Sequence, residues 1–164
     1  MILLPEEMPE RYEMVTAGQD FGLNITNVKV GWVGETVYVI ADYGAYNVPT
    51  RTFNEELIRQ GWYKDDDGSA NVFPTFCDPA GGERIQEITG GVKANNSVDS
   101  GIDYICALME RNQFFICSKC AGVLQEIADY ARDETNQIVK VNDHYMDAMR
   151  YAIFSQVQYG VICS

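Results

Sequence analysis

"EMVTAGQDFG" (13–22) and "ITNVKVGWVGETVYVIADYGAY" (25–46) together decide the fold. The first reads as a strand that ends at Asp20, between Gly18 and Gly22. The second holds two alternating runs, Val28, Val30, Trp32 and then Val37, Val39, Ala41, with "VGET" breaking them. Alternation at period two marks half-buried strands, and a short Gly-containing break between two such runs marks a hairpin. The chain therefore opens with three consecutive strands, expected to be antiparallel.

Downstream the pattern changes to alternating helices and strands. "FNEELIRQGWY" (53–63) is helical, with Phe53, Leu57 and Ile58 turned inward, and "KDDDGSAN" (64–71) is a turn. "VFPTFCDPAGGERIQEITG" (72–90) gives a strand ending at Asp78, a Pro-Gly-Gly turn and a short helix. "SVDSGIDYICALMERN" (97–112) carries Ile102, Ile105, Leu108 and Met109 at helical spacing. "QFFIC" (113–117) is a short buried strand, "AGVLQEIADYARDE" (121–134) a helix, and a last helix starts near Asn142. Antiparallel strands followed by strand–helix alternation predict an α/β domain with a mixed central β-sheet flanked by helices. Residues 1–12, rich in Pro and Glu, read as a linker or the end of an upstream segment, and 13–164 as one domain.

Composition bounds the rest. The chain has 164 residues, 46% of them hydrophobic and 12% aromatic, which is enough for a folded core. No apolar run reaches the roughly 18 to 20 residues needed to span a bilayer. "MILLPEEMPERYEM" lacks the positive start and long apolar stretch of a secretory signal. Five cysteines, an odd number, suggest reduced thiols and a cytoplasmic setting. The net charge of −12 argues against simple electrostatic capture of nucleic acid. Either the acids are a solvated surface, or some gather where divalent cations bind.

The last helix, "VNDHYMDAMRYAIFSQ" (141–156), tests that choice. A helical wheel puts Tyr145, Met146, Met149, Ala152, Ile153 and Val157 on one side, and Asp143, His144, Asp147, Arg150, Tyr151 and Phe154 on the other. Asp143 and Asp147 are four apart and His144 and Asp147 three apart, so all three face one point. Asn142 or Asp143 also makes an ordinary N-cap, which is the bland explanation for Asp143. Asp147 lies past the cap, among apolar neighbours. Asp20 and Asp78 each end a strand, where ligand sites of open α/β sheets collect, although Asp before Pro also starts turns. Clustered carboxylates repel unless one is protonated or a cation sits between them. Mg²⁺ or Mn²⁺ suits oxygen ligands, and a pair of such ions roughly 3.5 to 4 Å apart is the apparatus of phosphodiester displacement.

"GQDFG", "CDPA" and "NDHYMDAMRYA", in that order, resemble the nuclease domain of the large terminase subunit of tailed bacteriophages, a ribonuclease H-like fold. "GVKANNSVDSGI" (91–102) and "VLQEIADYA" (123–131) fit the middle of that family, so the resemblance runs from about Met14 to Gln156. The "DHxxDAxRYA" ending is its most specific element. The resemblance implies a two-metal endonuclease that cuts double-stranded concatemeric DNA during genome packaging, with two Mg²⁺ or Mn²⁺ ions. It matches Asp20, Asp78 and Asp147 to the metal-binding acids, Asp20 bridging both ions. His144 matches a position used near the metals, and Asp143 would hold a water beside them. Lys93 is a weak candidate for a DNA phosphate. The implied partners are double-stranded DNA bound weakly and without sequence preference, the packaging ATPase domain of the same protein, the small subunit and the portal. The implied location is the host cytoplasm. No "GxxxxGK[ST]" phosphate loop occurs, so the chain corresponds to the nuclease part alone.

Other signals carry less. "CSKC" (117–120) lacks a second pair or a His at zinc spacing. "DDDG" (65–68) lacks the Glu of a calcium loop. Glu126 and Tyr130, one turn apart, read as packing or hydrogen-bonding scaffold rather than chemistry. Two rivals stand beside the main reading: another ribonuclease H-like nuclease such as a junction resolvase, and a non-catalytic acidic module that binds a partner protein.

Overall fold

A computed structural model describes residues 1–132 and 143–163. Asn142, the side chain of Tyr130 and the expected helical residues 133–134 lie outside the described residues. The described strands are β1 (Ile2–Leu3), β2 (Met14–Asp20), β3 (Asn24–Val33), β4 (Thr36–Tyr46), β5 (Thr75–Cys77), β6 (Gly91–Lys93) and β7 (Phe114–Cys117). The α-helices are α1 (Thr50–Arg59), α2 (Val98–Glu110), α3 (Ala121–Arg132) and α4 (His144–Cys163). The strands form one mixed sheet in the order β1-β7-β4-β3-β2-β5-β6. β2, β3 and β4 pair antiparallel as expected, while β5 joins β2, β6 joins β5 and β7 joins β4 in parallel.

The pleat divides the residues of β2 between two cores. Thr16, Gly18 and Asp20 face α4, where the Thr16 hydroxyl donates to the Ala152 carbonyl at 2.9 Å. Ala17 and Phe21 pack on the other face with Ile25, Phe53, Leu57, Trp62 and Phe73. The core under α2, α3 and α4 contains Val28, Val30, Trp32, Val37, Val39, Leu108, Ile116, Met149 and Ile153. Gly18 sets how closely α4 approaches, since a Cβ there would lie 1.7 Å from the Ala148 carbonyl oxygen. Only hydrogen at that position lets the backbones touch.

Five details depart from the sequence reading. Ala41, expected on the face of Val37 and Val39, packs in the opposite core. A register shift in the β3–β4 ladder causes this, because one extra residue on β4 reverses every later side chain. Ile58 is 51% exposed, lying one position beyond the inward Leu57. Lys93 ends an edge strand, β6, that the sequence reading lacks and that pairs with β5. Residues 1–12, read as a linker or the end of an upstream segment, include β1, where Ile2 and Leu3 pair with Ile116 and Cys117. Finally, α4 has no polar side along its middle. Ala148 through Ser155 are all buried, because the sheet lies beneath and α2 and α3 flank it.

Candidate functional site

Three elements meet at the carboxyl ends of β2 and β5. Asp20 closes β2 and is 6% exposed. Asp78 follows β5 directly and starts the 3-10 segment Pro79–Glu87, its Oδ1 accepting from the Ala80 N–H at 2.9 Å. Its turn-initiating role is therefore present alongside any other. Asp147 stands in the first turn of α4. The Asp143 carbonyl accepts the Asp147 N–H at 2.8 Å, so Asp143 takes the capping position before the helix.

These carboxylates feel one another. The Asp20 carboxyl is pushed up from 3.8 to about 7, first by burial and then by the negative charge of Asp147. A hydrogen bond from His144 works against this, and Asp78 adds a further upward push. Tyr151, 3% exposed, lies among the same charges; burial first, then Asp78 and Asp147, hold its phenol well above the usual range. Asp143 is not among the groups that shift Asp20, and its charge acts on Glu126 instead.

His144 links the helix to the strand. Its Nδ1 lies 3.3 Å from Asp20 Oδ2, and Asn24 Nδ2 lies 3.4 Å from its Nε2. Nδ1–H can donate to Asp20 while Asn24 Nδ2 donates to Nε2. Both ring nitrogens thus have protein partners, and the ring orients Asp20. The His144 carbonyl accepts from Thr26 Oγ1 at 2.9 Å, which bolts the start of α4 to β3.

Two supporting residues have clear parts. Arg150, 4% exposed, reaches Asp147 Oδ1 and Asn96 Oδ1 from the same nitrogen at 3.3 and 3.4 Å. The i, i+3 spacing of Asp147 and Arg150 is visible in the sequence, but their burial is not. Glu126, read as scaffold, accepts the Met146 N–H at 3.0 Å and so caps α4 from α3. A polar cleft of about 420 Å³ opens beside it, lined by Asn24, Thr26, Glu126, Asp129, His144 and Tyr145 among others. Lys93 is exposed, in register with Cys77 and so next to Asp78.

The donor set of Asp20, Asp78 and Asp147 is all oxygen, which suits a hard divalent cation. Burial first, and then the charges of Asp147 and Asp78, raise the Asp20 carboxyl, and a bound cation would offset both effects. Among the described residues, no three His, Cys, Asp or Glu side chains stand close enough together to hold an ion as they are. The chemistry fits a metal, while the spacing is more open than a closed ligand shell.

No family model matches the chain. It is 26% identical over 162 residues to the terminase large subunit of Salmonella phage P22, covering 90% of this chain and 32% of that protein. It is 25% identical over 169 residues to the terminase large subunit of Enterobacteria phage LP7, covering 94% of this chain and 35% of that protein. The chain thus spans about a third of the length of these curated relatives. Among solved structures, the P22 large terminase nuclease domain superposes with a TM-score of 0.76 at 22% identity, covering 97% of this chain and 88% of that one. The large terminase nuclease domain of bacteriophage SPP1 with bound Mn gives 0.70 at 16% identity, covering 95% and 96%. No helix among the described residues is long and apolar enough to cross a membrane. The chain is thus similar in sequence to phage terminase large subunits, and it has the ribonuclease H-like fold of their nuclease domains.

Proposed function

We propose that the chain is a divalent-metal-dependent endonuclease that hydrolyses double-stranded viral concatemers during genome packaging. The observation that carries this reading is the placement of Asp20 and Asp78 at the carboxyl ends of the neighbouring parallel strands β2 and β5, with the start of α4, which carries Asp147, bonded to Asp20 through His144. Bound Mn in the SPP1 nuclease domain supports a metal of that kind here. Asp20, Asp78 and Asp147 would hold two Mg²⁺ or Mn²⁺ ions, and Asp143 would hold a water beside them. Such ions supply hydroxide near neutral pH and offset charge on the leaving 3′ oxygen.

The remaining work belongs to the side chains. His144 keeps Asp20 ionised and aimed by donating to Oδ2. Arg150 restrains Asp147 through its guanidinium. Glu126 anchors the first turn of α4, so that His144 and Asp147 move with α3 rather than fray. Double-stranded DNA would be bound through its backbone without sequence preference. The part of the relatives that this chain does not span would carry the packaging ATPase, with small subunit and portal as partners in the host cytoplasm.

Plasmid digestion with Mn²⁺ tests the proposal. Asp20→Asn, Asp78→Asn and Asp147→Asn should each lower the rate more than about 100-fold. Full activity in Asp20→Asn would remove the nuclease reading.

A further inference from the structure

A chain of net charge −12 needs local cations wherever a DNA strand lies, because duplexes are gripped mainly through phosphates. Several cations of the described residues are already committed. Arg51 pairs with Glu87, Arg59 with Glu56 and Arg150 with Asp147, and Lys29 donates to the Trp62 carbonyl. Arg84 is exposed and has no ion-pair partner among the described residues.

Arg84 is nevertheless held in place. Its guanidinium carbon lies 4.9 Å from the ring centroid of Phe21, the residue after Asp20. Its Nε donates to the Gly81 carbonyl at 3.3 Å, three residues beyond Asp78. The Phe21 ring packs directly on Gly81, where a Cβ would come within 2.3 Å of it. Arg84 therefore rests on the contact between the two loops that leave Asp20 and Asp78. Its acidic neighbours Glu83 and Glu87 line a shallow depression with Arg51 and Gln86, to which Arg84 does not contribute.

We propose that Arg84 is a phosphate-binding residue that holds the DNA backbone beside Asp20 and Asp78, an inference that rests on the nuclease reading of that site. Stacking and the Nε bond occupy one face and one donor of the guanidinium, leaving the Nη donors to form a fork on a phosphate. A preset side chain loses less freedom on binding than a free lysine does.

The test compares the parent chain with Arg84→Ala, Arg84→Lys and, as a charge-matched control, Lys64→Ala in the 64–71 turn. Plasmid cleavage with Mn²⁺ is followed across a salt series. Arg84→Ala should raise KM about three- to tenfold with kcat nearly unchanged, and flatten the log–log salt dependence of kcat/KM by about one. Arg84→Lys should fall between, and Lys64→Ala should match the parent. Unchanged KM and slope in Arg84→Ala, a loss confined to kcat, or an equal loss in Lys64→Ala would overturn the proposal. A parent that does not cut ends the nuclease reading instead. Arg84 is then judged by anisotropy of a labelled duplex over the same salt series, where a flatter slope supports it and an unchanged slope or absent binding overturns it.

Discussion

His144 Nδ1 stands 3.3 Å from Asp20 Oδ2, joining residues 124 positions apart. This bond lowers the pKa of a carboxyl that burial and Asp147 raise to about 7.

In the metal-free chain His144→Ala therefore moves Asp20 further upward, so protons compete with the metal up to higher pH and the acidic limb of a kcat/KM profile taken at subsaturating Mn²⁺ shifts upward. Cleavage near neutrality should fall about 10- to 100-fold, the usual loss when a group that orients a metal ligand is removed. A pH–rate profile checks this, and an unmoved acidic limb would show that His144 does not act through Asp20.

Gly18→Ala places a methyl group against the Ala148 carbonyl, a backbone atom that no rotamer change can move aside. The chain should lose about 1–3 kcal/mol of stability, the range for overpacking. Cleavage should fall as well, because α4 carries Asp147. Urea denaturation measures the first effect. Ala148→Gly should not rescue it, since the clash is with backbone.

Arg150→Met keeps the length of the side chain but removes the guanidinium that Asp147 and Asn96 share. Asp147 is 26% exposed at its side chain, so water screens part of the loss. About 1–3 kcal/mol of destabilisation is expected, below the range for a fully buried pair. Thermal melts of Arg150→Met and Arg150→Lys check this; Lys keeps the charge without the planar fork and should recover only part.

Glu126 is raised from 4.5 to about 7, chiefly by burial, with the Met146 N–H pulling the other way. The folded chain thus binds a proton that the unfolded chain has released, and metal-free stability falls as pH rises from about 4.5 to 7. Glu126→Gln keeps an acceptor for the α4 cap and should flatten this part of a melting-temperature curve taken in EDTA. Asp20 contributes a slope of the same sign, so some decline remains. An identical curve for Glu126→Gln would exclude Glu126 as a source.

The β2–β3–β4 meander was legible because alternation reports burial on a strand's own two faces, as at Val28, Val30 and Trp32. The break at "VGET" and the strand ends at Asp20 and near Asp78 were legible for the same local reason. Ala41 was not, because a single inserted residue in the ladder changes the face without leaving a mark in hydrophobicity. The wheel of α4 misled in a related way: Arg150 and Tyr151 are polar by type yet buried by packing from α2 and the sheet.

By itself the sequence determined β2 to β5, β7 and the helices, the three aspartates at their ends and the spacing of His144, Asp147 and Arg150 on one helix. These depend on neighbours within a few residues, so period and composition report them. Tertiary structure alone decided that His144 donates to Asp20, that Glu126 caps α4, and that Arg84 rests on Phe21 beside Gly81. Such contacts are set by how closely β2 and α4 pack at Gly18 and by which strand lies beside which. No local pattern encodes that distance, because it is the joint outcome of all the side chains between them.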